Sequence, residues 1–334
     1  MTLPATLESI TIDAPGHRSG KVRESWAVGA SRRLIVTTDR ISALDRVLGT
    51  VPHKGQVLNQ LAAWWFERTA DIVANHVLDL PDPNALLAVD ASPLPVEVVV
   101  RGRLTGSTST SLLPRYQAGE RMLYGHQLPD GLHPHGALPA PLITPTTKAA
   151  DGGHDEPVTS TEVVQGGLVD AELWARIEDT ALALFARGEK LAAEAGFVLA
   201  DTKYEFGLDP DGSLLLIDEV HTPDSSRYWD ASGLDELIAS GATPQGYDKE
   251  PVRLALAAAG YRGDGPPPAL SDAVRAETSE RYITLFERLT GAAFEPGETP
   301  AAARIIRNVS ALVPAVPAAP TTDRAADNQG ATDR

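Results

Sequence analysis

The stretch that decides the fold is Ala200-Asp201-Thr202-Lys203-Tyr204-Glu205-Phe206-Gly207-Leu208, then Asp209-Pro210-Asp211-Gly212, then Ser213-Leu214-Leu215-Leu216-Ile217-Asp218-Glu219-Val220. Asp-Pro-Asp-Gly makes a turn for a stated reason: proline presets φ and glycine accepts a positive one. The runs on either side therefore read as the two strands of a hairpin. Alternation puts Asp201, Lys203 and Glu205 on one face. If Leu208 pairs with Ser213, Lys203 lies opposite Asp218, and that face holds three carboxylates and a lysine. A slip of one residue would present Glu219 in place of Asp218. Like charges gathered this way are destabilising without a cation. Mg²⁺ suits them, taking carboxylate oxygens and sharing its other positions with water and phosphate. The competing reading is a solvent-facing sheet with water-screened charges. The polar run His221-Thr222-Pro223-Asp224-Ser225-Ser226-Arg227-Tyr228-Trp229 follows directly. Its Asp224, Ser225, Ser226 and Arg227 supply donors and an acceptor suited to carboxylate or phosphate recognition.

Upstream, Arg33-Leu34-Ile35-Val36-Thr37-Thr38 and Val96-Glu97-Val98-Val99-Val100-Arg101 are strand-like, the second entered through Pro93 and Pro95. Between them, Gln56 to Ala70 carries Val57, Leu61, Trp64, Trp65 and Arg68 at helical spacing, and both tryptophans read as core. Two segments have phosphate-binding character. In Gly16-His17-Arg18-Ser19-Gly20-Lys21-Val22-Arg23 the glycines stand one residue too close for a Walker A loop, and Val22 replaces its Ser/Thr. Gly20 still permits close backbone approach, and Lys21 and Arg23 share one side if the segment is extended. In Arg101-Gly102-Arg103-Leu104-Thr105-Gly106-Ser107 an arginine at a strand end precedes a Gly-Ser turn with free N–H groups, which suits a phosphate monoester. A Gly-x-Ser-x-Gly elbow, a paired-His zinc motif and a full Gly-x-Gly-x-x-Gly fingerprint are absent from the sequence.

Composition bounds the rest. At roughly 150 residues per domain, 334 residues suggest two domains, or one large domain with an extension. The chain is 43% hydrophobic and 22% charged, the range of soluble globular proteins. Net charge is 29 − 45 = −16, which argues against nucleic acid as a partner. Every apolar run is cut by a charge or a proline, which argues against a membrane span, and Met1-Thr2-Leu3-Pro4 does not open a secretory signal. With no cysteine, disulfides, thiolate metal sites and cysteine nucleophiles are excluded, as fits a cytoplasmic enzyme. Gly106 to Asp155 reads as a long functional or disordered loop rich in Gly, Pro, Ser, Thr and His. Thr159-Ser160-Thr161-Glu162 is a capping box before a short helix. Asp170 caps a longer helix that carries Leu173, Trp174, Ile177, Leu182, Leu184 and Phe185 toward a core. A further helix runs from a Ser271 cap to Gly291, with Val274, Tyr282, Leu285, Phe286 and Leu289 inward. Beyond Ala311 the chain turns to Pro-Ala repeats, and Thr321 to Arg334 reads as a disordered tail.

Taken in order, these pieces resemble the phosphoribosylaminoimidazole-succinocarboxamide (SAICAR) synthetase family. The resemblance rests on Gly20-Lys21-Val22-Arg23-Glu24, Thr38-Asp39-Arg40-Ile41-Ser42-Ala43 and Lys54-Gly55-Gln56-Val57-Leu58-Asn59. It continues through Val100-Arg101-Gly102, Thr105-Gly106-Ser107, and Leu142-Ile143-Thr144-Pro145-Thr146-Thr147-Lys148 with His154-Asp155-Glu156. It closes on the hairpin, the Thr222 to Trp229 loop and Tyr247-Asp248-Lys249.

The resemblance implies a two-lobed α+β fold with ATP in the cleft. Residues 1–95 would form a β-rich, kinase-like ATP-binding lobe, 96–312 a larger α+β lobe for substrate and metal, and 313–334 the Pro/Ala-rich tail. It implies an ATP-dependent ligase that joins L-aspartate to the carboxylate of carboxyaminoimidazole ribonucleotide (CAIR) through an acyl phosphate. By matching position, Gly20, Lys21, Val22 and Arg23 would hold ATP, and Glu205 and Asp218 would hold Mg²⁺. Lys148, Asp155 and Lys203 would surround the reacting carboxylate. Arg101, Ser107 and Arg227 would bind the nucleotide phosphate, with Asp39, Arg40, Ser42, Asp224, Ser225 and Ser226 completing the substrate pocket. Leu44, His53 and Pro251 depart from the family pattern near that pocket. They keep two other readings in view: an aspartate ligase acting on a related heteroaromatic carboxylate, such as a pyrazole C-nucleotide, and a nucleotide-binding regulatory module without turnover. Oligomeric state is left open.

Overall fold

The computed structural model describes residues 3–313, apart from 45, 108–109, 149–155 and 264. Asp155 and the tail beyond residue 313 thus lie outside the described residues. The first strands are short and alternating. β1 (Arg18–Ser19), β2 (Arg23–Val28) and β3 (Arg32–Thr37) form an antiparallel meander in which Trp26, Val28, Leu34 and Val36 point inward. A separate hairpin, β4 (Arg40–Ala43) and β5 (Arg46–Thr50), follows, then helix α1 (Lys54–Arg68). The helix starts two residues earlier than its apolar spacing suggests and buries Val57, Leu58, Leu61, Trp65 and Phe66. β6 (Val77–Asp82) and β7 (Ala85–Val89) complete a five-stranded sheet in the order β1-β2-β3-β7-β6.

The second sheet is built on two long strands. β8 (Ser92–Arg103) begins at the prolines. The chain then leaves it through α2 (Leu112–Gln117), β9 (Met122–Leu123) and β10 (His126–Gln127), returning as β11 (Ala137–Ile143) and β12 (Thr146–Thr147) on its edge. The expectation of a long functional or disordered loop is corrected in part, since its described residues carry α2 and β9 to β12. Leu104, Leu112, Leu113, Tyr116, Leu123, Tyr124, Leu128 and Leu138 make a small core of their own, too dispersed in sequence to show a period.

Helix α3 (Ser160–Gln165) opens on the full capping box, Thr159 and Glu162 each bonding the other's backbone N–H. α4 (Ala171–Glu194) opens on Asp170, whose carboxylate accepts from Glu172 N–H at 2.9 Å. Its buried Trp174, Ile177, Ala181, Leu184, Phe185, Gly188 and Ala192 repeat at three- and four-residue spacing over the second sheet; Leu182, expected inside, is exposed. β13 (Phe197–Leu208), β14 (Leu214–Ile217) and β15 (Ser226–Asp230) follow, giving the order β11-β8-β13-β14, with β15 also paired to β13. Four helices end the described chain: α5 (Leu234–Ala239), α6 (Glu250–Ala258), α7 (Asp272–Thr290) and α8 (Ala301–Val309). Ser271 caps α7, and Gly291 ends it at φ +72°. α8 crosses back to the first sheet, where Ile305 and Val309 pack with Leu7, Ile10, Trp26 and Leu34.

The hairpin register differs from the simple expectation. Leu208 pairs with Leu214, not Ser213, and Glu205 with Ile217. A ladder continued in that register would set Lys203 opposite Glu219. It stops first, because Asp218 turns off the strand at φ +65°.

Candidate active site

β13 lies between β8 and β15 and carries charge on one face. Asp201 is paired with Arg101, Lys203 with Val99 and Glu205 with Glu97, so the outward side chains of both strands share that face. Of the three carboxylates expected together, Asp201 is held apart from Glu205 and Asp218. Asp201 is drawn to a pair of arginines: Arg101 Nη1 donates to it at 3.1 Å, and Arg227 Nη1 bonds the same Oδ2. Glu205 stays in the middle, where Glu97 stands directly opposite. Two negative charges so placed repel. Lys203 bridges them, its Nζ 2.5 Å from Glu97 and 3.0 Å from Glu205, and Lys148 bonds the other oxygen of Glu205. These lysines hold the Glu205 carboxyl well below the usual carboxylate range despite its burial, and the two glutamates raise the pKa of Lys203.

At the far end stand Asp218 and Glu219. Arg23, at the start of β2, reaches across from the first sheet to bond Asp218 through Nη1 and Glu219 through Nη2, the latter at 2.9 Å. Burial, together with the charges of Glu205 and Glu219, pushes the Asp218 carboxyl up to about 6 against the pull of Arg23. Among the described residues there is no cluster of three or more His, Cys, Asp or Glu positioned to hold a metal. Mg²⁺ commonly uses one or two carboxylates and completes its shell with water and phosphates. The donor set of Glu205 and Asp218 fits that habit, and the raised pKa of Asp218 marks a place where added positive charge is favourable.

The Gly20 to Arg23 turn is braced from beneath. Gly20 N–H donates to Arg23 O at 2.8 Å. Arg40 lies under the turn with all five N–H groups engaged: Nε with Lys21 O, Nη1 with Glu8 O and Glu24 Oε1, and Nη2 with Gly20 O and Arg23 O. Asp39 is equally inward, accepting from Leu7 N–H at 2.7 Å and Gly55 N–H at 2.8 Å. Both residues therefore organise backbone here. Lys21 is exposed on the turn, and Val22 O accepts from Thr38.

The loop after β14 is organised by Asp224. Lys54, fully buried at the start of α1, donates to it at 2.8 Å, Lys249 lies 3.2 Å away, and Tyr282 of α7 donates at 2.7 Å. These partners hold the Asp224 carboxyl far below its ordinary range, while burial lowers the pKa of Lys54. The Ser226 and Thr202 hydroxyls share a hydrogen bond at 2.8 Å, and Ser225 O accepts from Lys203 N–H at 3.0 Å.

Two adjoining cavities open on these groups. One, of about 180 Å³, includes Arg101, Asp201, Lys203, Asp224, Ser225, Ser226 and Arg227 in its walls. The other, of about 720 Å³, includes Ser42, Leu44, Ser107, His135, Arg227 and Trp229 in its walls. Arg227 and Arg253 belong to both.

Sequence reasoning missed Glu97, Lys54, Tyr282 and His135 as site residues. Glu97 had a signal, since alternation in Val96-Glu97-Val98 sets it on the same face as Arg101. Tyr282 had none, because helical spacing explains its burial equally well.

Comparison with known proteins gives a consistent result. The SAICAR synthetase family model matches residues 17–267. A Mesorhizobium japonicum protein described as a putative phosphoribosylaminoimidazole-succinocarboxamide synthase 2 is 50% identical over 284 residues, covering 85% of this chain and 91% of its own. The phosphoribosylaminoimidazole-succinocarboxamide synthase of Legionella pneumophila strain Lens is 42% identical over 313 residues, covering 92% and 98%. A solved SAICAR synthase from Saccharomyces cerevisiae, complexed with SAICAR, superposes with a TM-score of 0.72 at 31% identity, covering 86% of this chain and all of that one.

Proposed function

The chain belongs to the SAICAR synthetase family, and on that premise we propose that it joins L-aspartate to CAIR, driven by ATP, yielding SAICAR, ADP and phosphate in purine biosynthesis. An oxygen of the CAIR carboxylate attacks the γ-phosphorus of ATP, and ADP departs. The aspartate amine then attacks the acyl carbon. The C–N bond forms as the C–O bond to phosphate breaks, and the nitrogen releases a proton. Chemistry of this kind needs orientation and charge neutralisation and no protein nucleophile.

The observation that carries the reading is the row of opposed charges along β13, ending at two cavities rich in cations. Lys21, Arg23 and the backbone N–H of Val22 grip the ATP phosphates, with Gly20, its own N–H bonded to Arg23 O, and Arg40 holding the turn in shape. Glu205 and Asp218 hold Mg²⁺, which when bound offsets charge on the phosphates. Lys148 and Lys203, beside Glu205, offset the charge of the reacting carboxylate, and Asp155 belongs with them by its motif. Arg101, Ser107 and Arg227 take the 5′-phosphate. Ser42, Asp224, Ser225 and Ser226 wall the substrate space, and Asp39 supports it from behind. A cytoplasmic setting agrees with the cysteine-free sequence.

The test is direct. The purified chain, given CAIR, aspartate, ATP and Mg²⁺, should form a product with the mass of SAICAR and release ADP in equal amount. Absence of that product from a folded protein that still binds ATP would overturn the assignment.

A further inference from the structure

His135 lies in the stretch between α2 and β11, and the assignment above gives it no role. Its placement is closely constrained. The backbone takes φ +65°, a region that residues other than glycine seldom occupy. Two hydrogen bonds pin this turn to the end of β8: His135 N–H to Leu104 O at 2.8 Å, and Leu104 N–H to Gly136 O at 2.9 Å. The ring stands edge-on to Trp229, with centroids 5.6 Å apart, and Nδ1 lies 3.3 Å from the Thr105 hydroxyl. Thr105 comes two residues before Ser107, and Trp229 two residues after Arg227 on β15. The imidazole is therefore clamped between the two segments that line the larger cavity with phosphate-binding groups. Strain that persists at a cavity wall is a common mark of a functional residue.

We propose that His135 is a substrate-binding residue that donates from Nε2 to a phosphoryl oxygen of the ribonucleotide monoester, completing a site with Ser107 and Arg227. The proposal rests on the reading above. With the Thr105 hydroxyl donating to Nδ1, the ring proton sits on Nε2, as an anion requires. Burial and the charge of Arg227 lower the His135 pKa, which keeps the ring neutral beside cations already balanced by Asp201. Lys249, Glu250, Arg253 and Arg262 line the same cavity and complete its charged surroundings.

The experiment compares the full-length wild type with His135→Ala and His135→Gln, after thermal unfolding has established that each folds. Steady-state rates are measured with CAIR, and inhibition constants with SAICAR and its 5′-dephosphorylated form. His135→Ala should raise KM for CAIR and weaken SAICAR by about tenfold or more, while kcat, KM for ATP and inhibition by the dephosphorylated product stay within about threefold. His135→Gln, which restores an N–H donor, should recover part of the loss and carries the test if the alanine variant fails to fold. Equal weakening of both inhibitors would overturn the proposal and assign the ring to packing against Trp229. No weakening of either overturns it as well. A wild type inactive on CAIR defeats the functional reading itself, and that is seen before any variant is compared.

Discussion

At the scale of single residues, the acids along β13 and in the loop after β14 are each paired with a base, so removing one partner strands another. Glu205→Gln leaves Lys148 and Lys203 with a neutral acceptor, and Asp218→Asn keeps the shape that Arg23 bonds. Each should lower turnover by about a hundredfold or more in a folded protein, through loss of charge neutralisation at the phosphates. Near-normal rates in Asp218→Asn would move the metal role to Glu219. Two histidines outside the reaction set a second expectation. His76 and His221 are buried, and burial brings each imidazole down to about 3. Unfolded, each titrates at about 6.5. Between those values the unfolded chain binds more protons than the folded one, so stability is full above the upper value and is lost as pH falls. Each ring contributes a slope of about 1.4 kcal/mol per pH unit. Urea unfolding between pH 6 and pH 4 should show this decline, and His221→Asn should flatten it by one proton; an unchanged slope would mean that His221 is already charged in the fold.

Elements meet closely where α4 crosses β13 and the loop after β14. A Cβ on Gly188 would lie 2.5 Å from His221 Cε1 and 2.7 Å from Leu199 Cδ2. Helix propensity alone predicts that Gly188→Ala stabilises by about 1 kcal/mol. Overpacking here costs about 1–3 kcal/mol. The net effect should be a lower Tm, measurable by calorimetry, and a raised Tm would show that the layers can part freely. Much of this level was legible in the sequence. Caps at Thr159, Asp170 and Ser271 work locally, so their signatures survive folding intact. The Asp-Pro-Asp-Gly turn was legible for the same reason, but not the register beyond it. Leu214, Leu215, Leu216 and Ile217 are all buried, so no alternation marks which of them face the site. The substrate wall was harder still. Arg40 enters the substrate pocket by the family resemblance, and here its fork is closed over the turn it braces. Lys54 and Tyr282 meet Asp224 from positions 170 and 58 residues away, and local sequence carries no trace of such meetings.

Over the whole molecule, the two sheets share a buried core in which side chains of α1 cluster with those of β8 and β13. Arg23 spans them at the site, and α8 closes the first sheet from behind. Arg304 donates to both oxygens of Asp82, at 2.9 and 3.0 Å, with Asn84 Oδ1 also accepting. The Asp82 side chain is fully buried. Arg304→Leu would leave that carboxylate without its cation, which costs about 3–5 kcal/mol. A fall in Tm of roughly 5–15 °C is expected by calorimetry; an unshifted transition would show that Asn308 and the backbone alone satisfy Asp82. The same helix has a consequence for how the protein is made. Strands up to Val89 leave the ribosome early, but Ile305 and Val309, which fill the core beneath them, come some 220 residues later. At about 5–20 residues per second, that interval is on the order of 10–40 s. Throughout it, Trp26, Leu34 and Val36 on the nascent chain lack their last neighbours, so this sheet, made well before α8, is completed only when α8 emerges and until then presents apolar surface that a chaperone can cover.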